Sequence, residues 1–434
     1  MRVKKETISI ITLGCPKNVV DSEQLMTLIE NEKIKIINNY QDNTDIVIIN
    51  TCGFIEDAKK ESIEQILNAV EYKKKGKIKK IFVAGCLSER YMLELKKEIP
   101  EVDKYFGVTS KEKNLRDIIK SLNLEYKKNL IGERKPSPSN HFAYLKISDG
   151  CNNPCSFCSI PLIKGNYHSK PLKKIIYEAK LLADRGVKEL ILIAQDTTYW
   201  GKDIYGKRKL SLVLDSLSKV NGIEWIRLMY TYPAHFPRDV IDVIRNNTNI
   251  CNYIDIPIQH ISDKILKSMR RGITRKNTIK LLEILRNKIP NLYLRTTIIV
   301  GYPLETEKEF NELCEFVKEF KFERLGVFCY SHEENTEAYK LKDSIPQKEK
   351  LLRQEIIYSI QKDISLANNK KLIGKQVEVL VDRKESDLYI GRTYMDAPEI
   401  DQEVYISSVH KLNPGEFYKV LINDAQEYDL FGEI

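Results

Sequence analysis

The sequence contains no apolar run long enough to cross a bilayer, which needs about 20 consecutive apolar residues. Residues 1–10 also lack the apolar core of a secretory signal peptide. The nine cysteines are odd in number, so they do not form the fully paired framework of a small secreted domain. These absences predict a soluble protein of the reducing cytoplasm. A chain of 434 residues has room for about two to four domains.

A fourth ligand is missing from the cysteine cluster at the centre of the chain. Cys151, Cys155 and Cys158 are spaced C-x3-C-x2-C, and the next Cys or His is His168. Structural zinc sites close with four ligands, usually in two separated pairs, so this spacing argues against zinc. Three thiolates on a four-iron cluster instead leave one iron open to a small molecule. Three buried structural cysteines are the competing interpretation.

The segment 146–161 around these cysteines, with Phe157 before the last of them, resembles the core motif of the radical S-adenosylmethionine (SAM) superfamily. This resemblance implies a 4Fe–4S cluster on Cys151, Cys155 and Cys158. Its open iron would chelate SAM, and reductive cleavage of SAM would be the catalytic role of the three cysteines.

Three further cysteines follow three predicted strands of the N-terminal domain, 1–130. Strands that alternate with helices predict an open parallel α/β sheet, whose ligands bind beyond the carboxyl ends of the strands. Cys15, Cys52 and Cys86 all lie at such ends and predict a second cluster site. A packed core cysteine is the alternative at each position taken alone. The predicted strands cover 8–13, 45–49 and 80–84, and the predicted helices begin at Asp21, Glu56 and Ser88.

This arrangement resembles the N-terminal domain of the methylthiotransferases, in which three such cysteines hold an auxiliary cluster. The first motif, from Gly14 to Asn18, reads Gly-Cys-Pro-Lys-Asn, as in the RimO branch of that family. The tRNA-modifying MiaB branch typically has Gly-Cys-Gln there. A turn after the strand would also account for Pro16 and Asn18. The resemblance implies two 4Fe–4S clusters and SAM as cofactors.

After a Pro/Ser-rich linker at 131–141, strand patterns alternate with helical stretches over 142–345. Six such units predict a partial (β/α)6 barrel with its site at the C-terminal strand ends. Polar or small residues follow three of these strands, where they would contact SAM; satisfied core groups or a simple turn are the alternatives. The candidate SAM contacts are Gln195, Asp196, Gln259, His260 and Gly301.

The predicted C-terminal part is a linking helix, 346–370, and a strand-rich module, 371–434, which resembles a TRAM domain. Its short strands predict a five-stranded, OB-like β-barrel. TRAM domains usually bind RNA, which favours positive charge, but residues 370–434 hold eight Lys/Arg against thirteen Asp/Glu. This acidic balance favours a basic protein partner. A solvated hairpin is the alternative for the expected contact residues, Asp396, Glu399 and Asp401.

The family resemblance implies a RimO-type enzyme that adds a methylthio group to the β-carbon of an aspartate in small-subunit ribosomal protein S-twelve. No side-chain base can remove a proton from that unactivated carbon at neutral pH, so the reaction requires a radical. A flavodoxin or ferredoxin is the expected electron donor, and tRNA is not the expected partner. The alternatives are a tRNA adenosine methylthiotransferase and a non-catalytic redox or scaffold protein on the ribosome.

Overall fold

A computed structural model of the protein describes residues 6–30, 34–37, 44–127, 133–134 and 141–434. The chain divides into two compact units. The first comprises Met1–Pro138, Asp149–Asn152 and Cys158–Leu181, and the second comprises Ser139–Ser148, Asn153–Phe157 and Leu182–Ile434. The linker predicted at 131–141 lies outside the described residues except at 133–134 and 141.

The first unit contains a parallel sheet between two layers of helices. Its strands are β1 (Glu6–Thr12), β2 (Ile34–Ile37), β3 (Thr44–Thr51), β4 (Ile78–Gly85) and β5 (Lys104–Tyr105). Its first helices are α1 (Pro16–Ile29), α2 (Glu56–Lys74), α3 (Cys86–Glu98) and α4 (Glu112–Ser121). The strand order is β2-β1-β3-β4-β5, and β3 is buried along nearly all of its length because apolar clusters pack on both of its faces. The predicted open parallel sheet is confirmed.

Helix α1 begins five residues before the predicted start at Asp21. Pro16 occupies the first turn of this helix. Backbone N–H groups there have no partner within the helix, so the missing N–H of proline costs nothing, and the φ of proline is already helical. Asn18 donates from Nδ2 to the carbonyl oxygens of Leu13, at 2.8 Å, and Thr51, at 3.2 Å, which fixes the helix against two strand ends. The predicted helix start at Asp21 is therefore wrong, because Pro16 already begins the helix.

From residue 142 onward the chain continues as β/α units. The strands are β6 (Phe142–Lys146), β7 (Ser148–Asp149), β8 (His168–Ser169), β9 (Glu189–Ile193), β10 (Trp225–Leu228), β11 (Ile250–Asp255), β12 (Tyr293–Val300) and β13 (Arg324–Cys329). The helices are α5 (Ile160–Lys164), α6 (Leu172–Asp184), α7 (Lys202–Tyr205), α8 (Leu210–Leu217), α9 (Asp239–Asn246), α10 (Asp263–Ser268), α11 (Arg275–Lys288) and α12 (Glu307–Phe320). In the second unit, six parallel strands form an open sheet in the order β13-β12-β11-β10-β9-β6, which confirms the predicted partial barrel.

The second unit also contains the linking helix and the small β-barrel. Helix α13 (Gln347–Lys370) precedes β14 (Gln376–Glu385), β15 (Leu388–Arg392), β16 (Glu403–Ser407), β17 (Phe417–Ala425) and β18 (Asp429–Glu433). These five strands close in the order β14-β15-β16-β18-β17 around an apolar core that includes Val379, Val404 and Val420. The predicted five-stranded barrel is confirmed.

A chain of buried ion pairs joins the open sheet to the β-barrel within the second unit. Glu189, at the start of β9, accepts from Arg227 of β10 at 2.7 Å and from Arg392 of β15 at 2.8 Å. Arg392 also donates to Asp382 of β14 at 2.7 Å. The Arg227 and Glu189 side chains are 0% exposed. Since an unpaired buried charge is costly, each of these side chains fixes the position of its partner.

The segment after Arg392 continues these contacts and corrects the expected partner residues. Asp396 accepts from Arg324 Nε at 2.8 Å and is buried. Asp401 lies 3.3 Å from Arg295 and accepts from the Tyr253 hydroxyl at 2.7 Å. The expectation that Asp396 and Asp401 face a partner is wrong, because both carboxylates are buried against arginines of the same unit.

Glu399 differs from these two aspartates. It is exposed, and its carboxylate accepts from the Tyr144 hydroxyl at 2.8 Å. A role for Glu399 in partner binding stays a prediction.

The buried pair predicts a large loss of stability on Asp396→Ala. Removing the carboxylate leaves the Arg324 guanidinium buried without its counter-charge, which costs about 3–5 kcal/mol. Glu337→Ala is the matched control, because Glu337 pairs with Lys340 on the surface and such pairs contribute less than about 1 kcal/mol. Thermal unfolding followed by circular dichroism should show a clearly lower midpoint for the Asp396 variant alone. Equal midpoints would contradict a stabilising role for this pair.

Candidate functional site

The thiols of the first unit meet at the carboxyl edge of its sheet. Cys15 follows β1 and Cys52 follows β3, which are the adjacent strands where the connections reverse direction and where such sheets bind ligands. Cys86 begins α3, directly after β4. Electrostatic interactions link Cys52 and Cys86 to each other and to Cys15. The structure therefore brings the three predicted ligands of the second cluster to one place.

Gly14 is the residue that permits this approach. Its φ is +87°, and a Cβ built on it would lie 2.6 Å from the Cys52 Cβ and 2.7 Å from the Cys52 Sγ. Any side chain at residue 14 would displace a thiol, so the site requires glycine there.

A buried lysine lies beside these thiols. Lys164, at the end of α5, donates to Asp21 of α1 at 3.1 Å and to the Ser110 hydroxyl at 3.3 Å. Burial opposes its charge, but the Asp21 carboxylate outweighs that effect and raises the pKa of Lys164. Burial raises the pKa of the Cys86 thiol to about 12, while the positive charge of Lys164 acts in the opposite direction. The lysine thus supplies a fixed positive charge where thiolates are needed.

A second lysine of the first unit, Lys170, belongs to a buried cluster of charged side chains. Lys170 pairs with Glu178, which accepts from Arg134 Nε at 2.5 Å, and Arg134 also pairs with Glu23. Arg134 and Glu178 are buried. Lys170 therefore acts as one cation of a structural network within the first unit.

The three central cysteines lie on the loop between β7 and α5, and each is half-buried. In the first unit, the backbone N–H of Cys151 donates to the Gly165 carbonyl at 3.2 Å. In the second unit, the Cys155 sulfur accepts from Arg271 Nη1 at 3.2 Å and lies 3.6 Å from the Tyr232 hydroxyl. A cationic donor of this kind fits a thiolate better than a thiol.

Asp196 and Gln195 follow β9, as predicted. Asp196 is buried and accepts from Asn153 at 2.8 Å and from the Thr198 hydroxyl at 2.5 Å. Burial raises the pKa of its carboxyl group, against the lowering effect of these hydrogen bonds. The Gln195 Oε1 atom is buried and has no hydrogen-bond partner. Of this pair, Gln195 is the side chain with an unused acceptor.

Gln259 resembles Gln195 in this respect. It has a positive φ of +70°, and its Oε1 atom is buried without a hydrogen-bond partner. Its backbone bonds to β12, since Gln259 N donates to the Thr297 carbonyl at 2.9 Å. Gln195 and Gln259 are therefore the predicted SAM contacts with a free buried acceptor.

His260 and Gly301 are already in contact with other protein groups. His260 is 0% exposed, its Nδ1 accepts from Ser262 N at 3.0 Å, and its Nε2 lies 3.3 Å from Glu305. A Cβ on Gly301 would lie 2.3 Å from the Lys350 side chain. Lys350, rather than open space for a ligand, makes the close approach at Gly301. Contact of His260 or Gly301 with SAM stays a prediction. Lys350 leaves little room at Gly301, whereas the buried Nε2 atom of His260 has no hydrogen-bond partner.

Sequence reasoning missed Arg271, Tyr232 and Glu305. Arg271 lies in an Arg-Arg pair after α10 that carried no recognised signal, and Tyr232 follows β10, four residues after its last residue. A systematic search for aromatic and basic residues beyond every strand end would have found Tyr232. Arg271 reaches Cys155 across 116 residues of sequence, which no local pattern encodes.

Within the described residues, no three Cys, His, Asp or Glu side chains converge closely enough to hold one metal ion. An iron–sulfur cluster binds each of its cysteines through a separate iron, so its cysteines need not converge on a single point. Over the same part of the chain, no helix is both long and apolar enough to span a bilayer.

Family profiles match three consecutive parts of the chain. They are the family described as "Uncharacterized protein family UPF0004" over residues 7–107, the radical SAM superfamily over 145–317, and the TRAM domain over 373–434.

Curated proteins match the chain over almost its whole length. Those named "Ribosomal protein uS12 methylthiotransferase RimO" include one from Cytophaga hutchinsonii, 51% identical over 99% of this chain and 98% of its own. The protein of that name from Christiangramia forsetii is 50% identical over 99% of this chain and 95% of its own. That of Chloroherpeton thalassium is 48% identical over 100% of both chains.

Solved structures share the fold at low identity. The radical SAM methyltransferase TsrM from Kitasatospora setae aligns with a TM-score of 0.56 and 12% identity, covering 75% of each chain. The cobalamin-dependent enzyme OxsB aligns with a TM-score of 0.52 and 14% identity, covering 82% of this chain and 56% of its own.

Gly14→Ala should disrupt the thiol site of the first unit. The new Cβ would contact the Cys52 side chain and also require a strained positive φ, which costs about 1–3 kcal/mol. Gly76→Ala is the matched control, because Gly76 has φ +72° with nothing within 4 Å of an added Cβ. The Gly14 variant should retain less iron after anaerobic reconstitution and unfold at a lower temperature than the control. Identical iron content in the two variants would show that Cys52 has room to move.

Proposed function

Because the chain belongs to the family of ribosomal protein uS12 methylthiotransferases named RimO, we propose that it transfers a methylthio group to the β-carbon of an aspartate in uS12. This proposal rests on a sequence identity of about 50% to these relatives over nearly their full length. The proposed cofactors are SAM and two 4Fe–4S clusters, and the proposed location is the cytoplasm.

The central cysteines would hold the cluster that cleaves SAM. When bound, this cluster and SAM supply a radical that can take hydrogen from an unactivated carbon. Cys151, Cys155 and Cys158 provide three thiolates, which leave one coordination position for SAM. Arg271 donates to Cys155, and its positive charge would favour the bond between that sulfur and iron.

The thiols of the first unit would hold the second cluster, which would provide the sulfur atom of the methylthio group. Support comes from the position of Cys15, Cys52 and Cys86 at the carboxyl edge of the sheet, from the space that Gly14 leaves, and from the nearby charge of Lys164. The methyl group would come from a second molecule of SAM. Lys164 would offset negative charge there, because it is held protonated by Asp21.

SAM would be oriented by the free amide oxygens beyond the strands of the open sheet. The buried Oε1 atoms of Gln195 and Gln259 would accept hydrogen bonds from groups that SAM carries, such as its ammonium group, adenine amine and ribose hydroxyls. An unpaired buried acceptor is costly, so each glutamine gains when such a donor binds. Asp196 would support this position through its hydrogen bond with Asn153, a residue of the cysteine loop.

The proposed macromolecular partner is uS12, with a flavodoxin or ferredoxin as electron donor. A tRNA adenosine methylthiotransferase is the second candidate, since it would use the same two cluster sites. The acidic balance of residues 370–434 disfavours tRNA, because the electrostatic part of the affinity for a phosphate backbone comes from positive side chains.

The substrate is tested by incubating reconstituted protein with SAM, a reductant and sulfide, and offering isolated uS12, small ribosomal subunits or tRNA. Mass spectrometry should show the mass gain of one methylthio group on an aspartate peptide of uS12. The matched control is uS12 in which that aspartate is changed to asparagine. A methylthio group on adenosine, with uS12 unmodified, would establish the second candidate instead.

Replacing the two sets of cysteines should abolish different activities. Changing Cys151, Cys155 and Cys158 to Ala should leave about four irons per chain and abolish SAM cleavage. Changing Cys15, Cys52 and Cys86 to Ala should also leave about four irons but preserve cleavage and abolish methylthio transfer. Iron analysis and chromatography of 5′-deoxyadenosine check both outcomes. SAM cleavage by the first variant, or transfer by the second, would refute the assigned roles.

A further inference from the structure

We propose that Arg271 is a positioning residue that raises the reduction potential of the cluster ligated by Cys155. The inference rests on the proposed function, because it assumes that Cys155 binds iron. The cysteines bind the cluster, and Arg271 would adjust its reduction potential.

The geometry around Arg271 directs its charge at one sulfur atom. Nη1 donates to Cys155 Sγ at 3.2 Å, and Nη2 donates to the Pro257 carbonyl at 2.6 Å. The guanidinium lies 4.2 Å from the centre of the Tyr232 ring, and the Tyr232 hydroxyl donates to the Arg271 carbonyl at 2.9 Å. Arg271 is therefore held on both its backbone and its side chain, and its planar fork has one fixed orientation.

The charge balance of Arg271 indicates what it faces. It is only 4% exposed, and its Nε atom has no acceptor. None of the described carboxylates forms an ion pair with it, and Asp196 acts on it only as a weaker, longer-range charge than Cys155. Other buried arginines of the same unit, Arg227 and Arg324, each have a carboxylate partner. A buried cation without a carboxylate needs another anion. The thiolate of Cys155 is the group in hydrogen-bond contact that can carry that negative charge.

The expected consequence is electrochemical. One electron from an external low-potential donor enters the cluster, and no protein bond forms or breaks in that step. A positive charge and an N–H donor at a ligating sulfur stabilise the more electron-rich state, so they raise the reduction potential. Arg271 would thus make it easier for a flavodoxin-type donor to reduce this cluster.

A merely structural role predicts something different. If Arg271 only ties Cys155 to Pro257, its replacement would lower cluster content or thermal stability but leave the potential of the retained clusters unchanged. The neighbouring Arg270 provides the matched control, because it is exposed and pairs with Glu337 on the surface.

The test compares Arg271→Gln, Arg271→Lys and Arg270→Gln in the full-length, reconstituted protein. Redox titration with dithionite and mediators is followed by the electron paramagnetic resonance signal that changes on addition of SAM, which singles out the SAM-binding cluster. For Arg271→Gln we expect about a tenfold lower ratio of reduced to oxidised cluster at a fixed potential, which is a shift of 59 mV for one electron. The potential of Arg271→Lys should shift in the same direction by less, since lysine keeps the positive charge but loses the planar pair of N–H donors. The potential of Arg270→Gln should match that of the wild type.

Each outcome decides a separate question. A wild-type potential in Arg271→Gln overturns the inference. If that variant retains no cluster, Arg271→Lys decides, and a wild-type potential there overturns the inference equally. A wild-type protein without any SAM-sensitive signal would instead refute the proposed function of the central cysteines.

Discussion

Parallel strands end at the same edge of a sheet, and this single constraint determines where chemistry can occur in both units. In the first unit it places Cys15 and Cys52 beyond adjacent strands, with Cys86 beyond the next. In the second unit it gathers Gln195, Tyr232 and Gln259 beyond β9, β10 and β11. Residues far apart in sequence become neighbours because all strands run in the same direction. Only small local changes in backbone conformation are then needed to bring their side chains together. Gly14 and the positive φ of Gln259 are such adjustments.

The buried charged side chains are of two kinds: those that stabilise the fold through ion pairs, and those that lie near the candidate functional cysteines. Glu189, Asp396 and Asp401 each contact arginine side chains. These pairs hold the β-barrel against the open sheet, since breaking one leaves an isolated charge in a dry environment. Arg271 instead lies beside Cys155, and Lys164, although it pairs with Asp21, also interacts with Cys86. A buried cation next to a thiol is poorly explained by packing alone, whereas a thiolate that binds iron gives it a counter-charge.

Much of this architecture could be predicted from sequence because it depends on local pattern. Alternating strands and helices, cysteines at strand ends and the C-x3-C-x2-C spacing are all readable within short windows. The start of α1 was misplaced because Pro16 reads equally as a turn and as a first helical residue. Arg271 was missed because its contact with Cys155 depends on tertiary structure. Asp396 and Asp401 read as solvated acids because their partners, Arg324 and Arg295, are about 72 and 106 residues away.

The buried aspartates also change what the charge of the C-terminal module implies. Residues 370–434, all of which the structure describes, hold thirteen acidic and eight basic side chains, a surplus of five negative charges. Arg295, Arg324 and Lys362, all outside the module, form ion pairs with three of those acids, whereas one of the module's basic residues, Arg392, pairs with Glu189 outside it. A partner therefore meets a less acidic surface than the sequence suggests, and electrostatic attraction of a basic protein is correspondingly weaker. Charge still disfavours a phosphate backbone, but the choice of uS12 follows from family membership rather than from this module's charge.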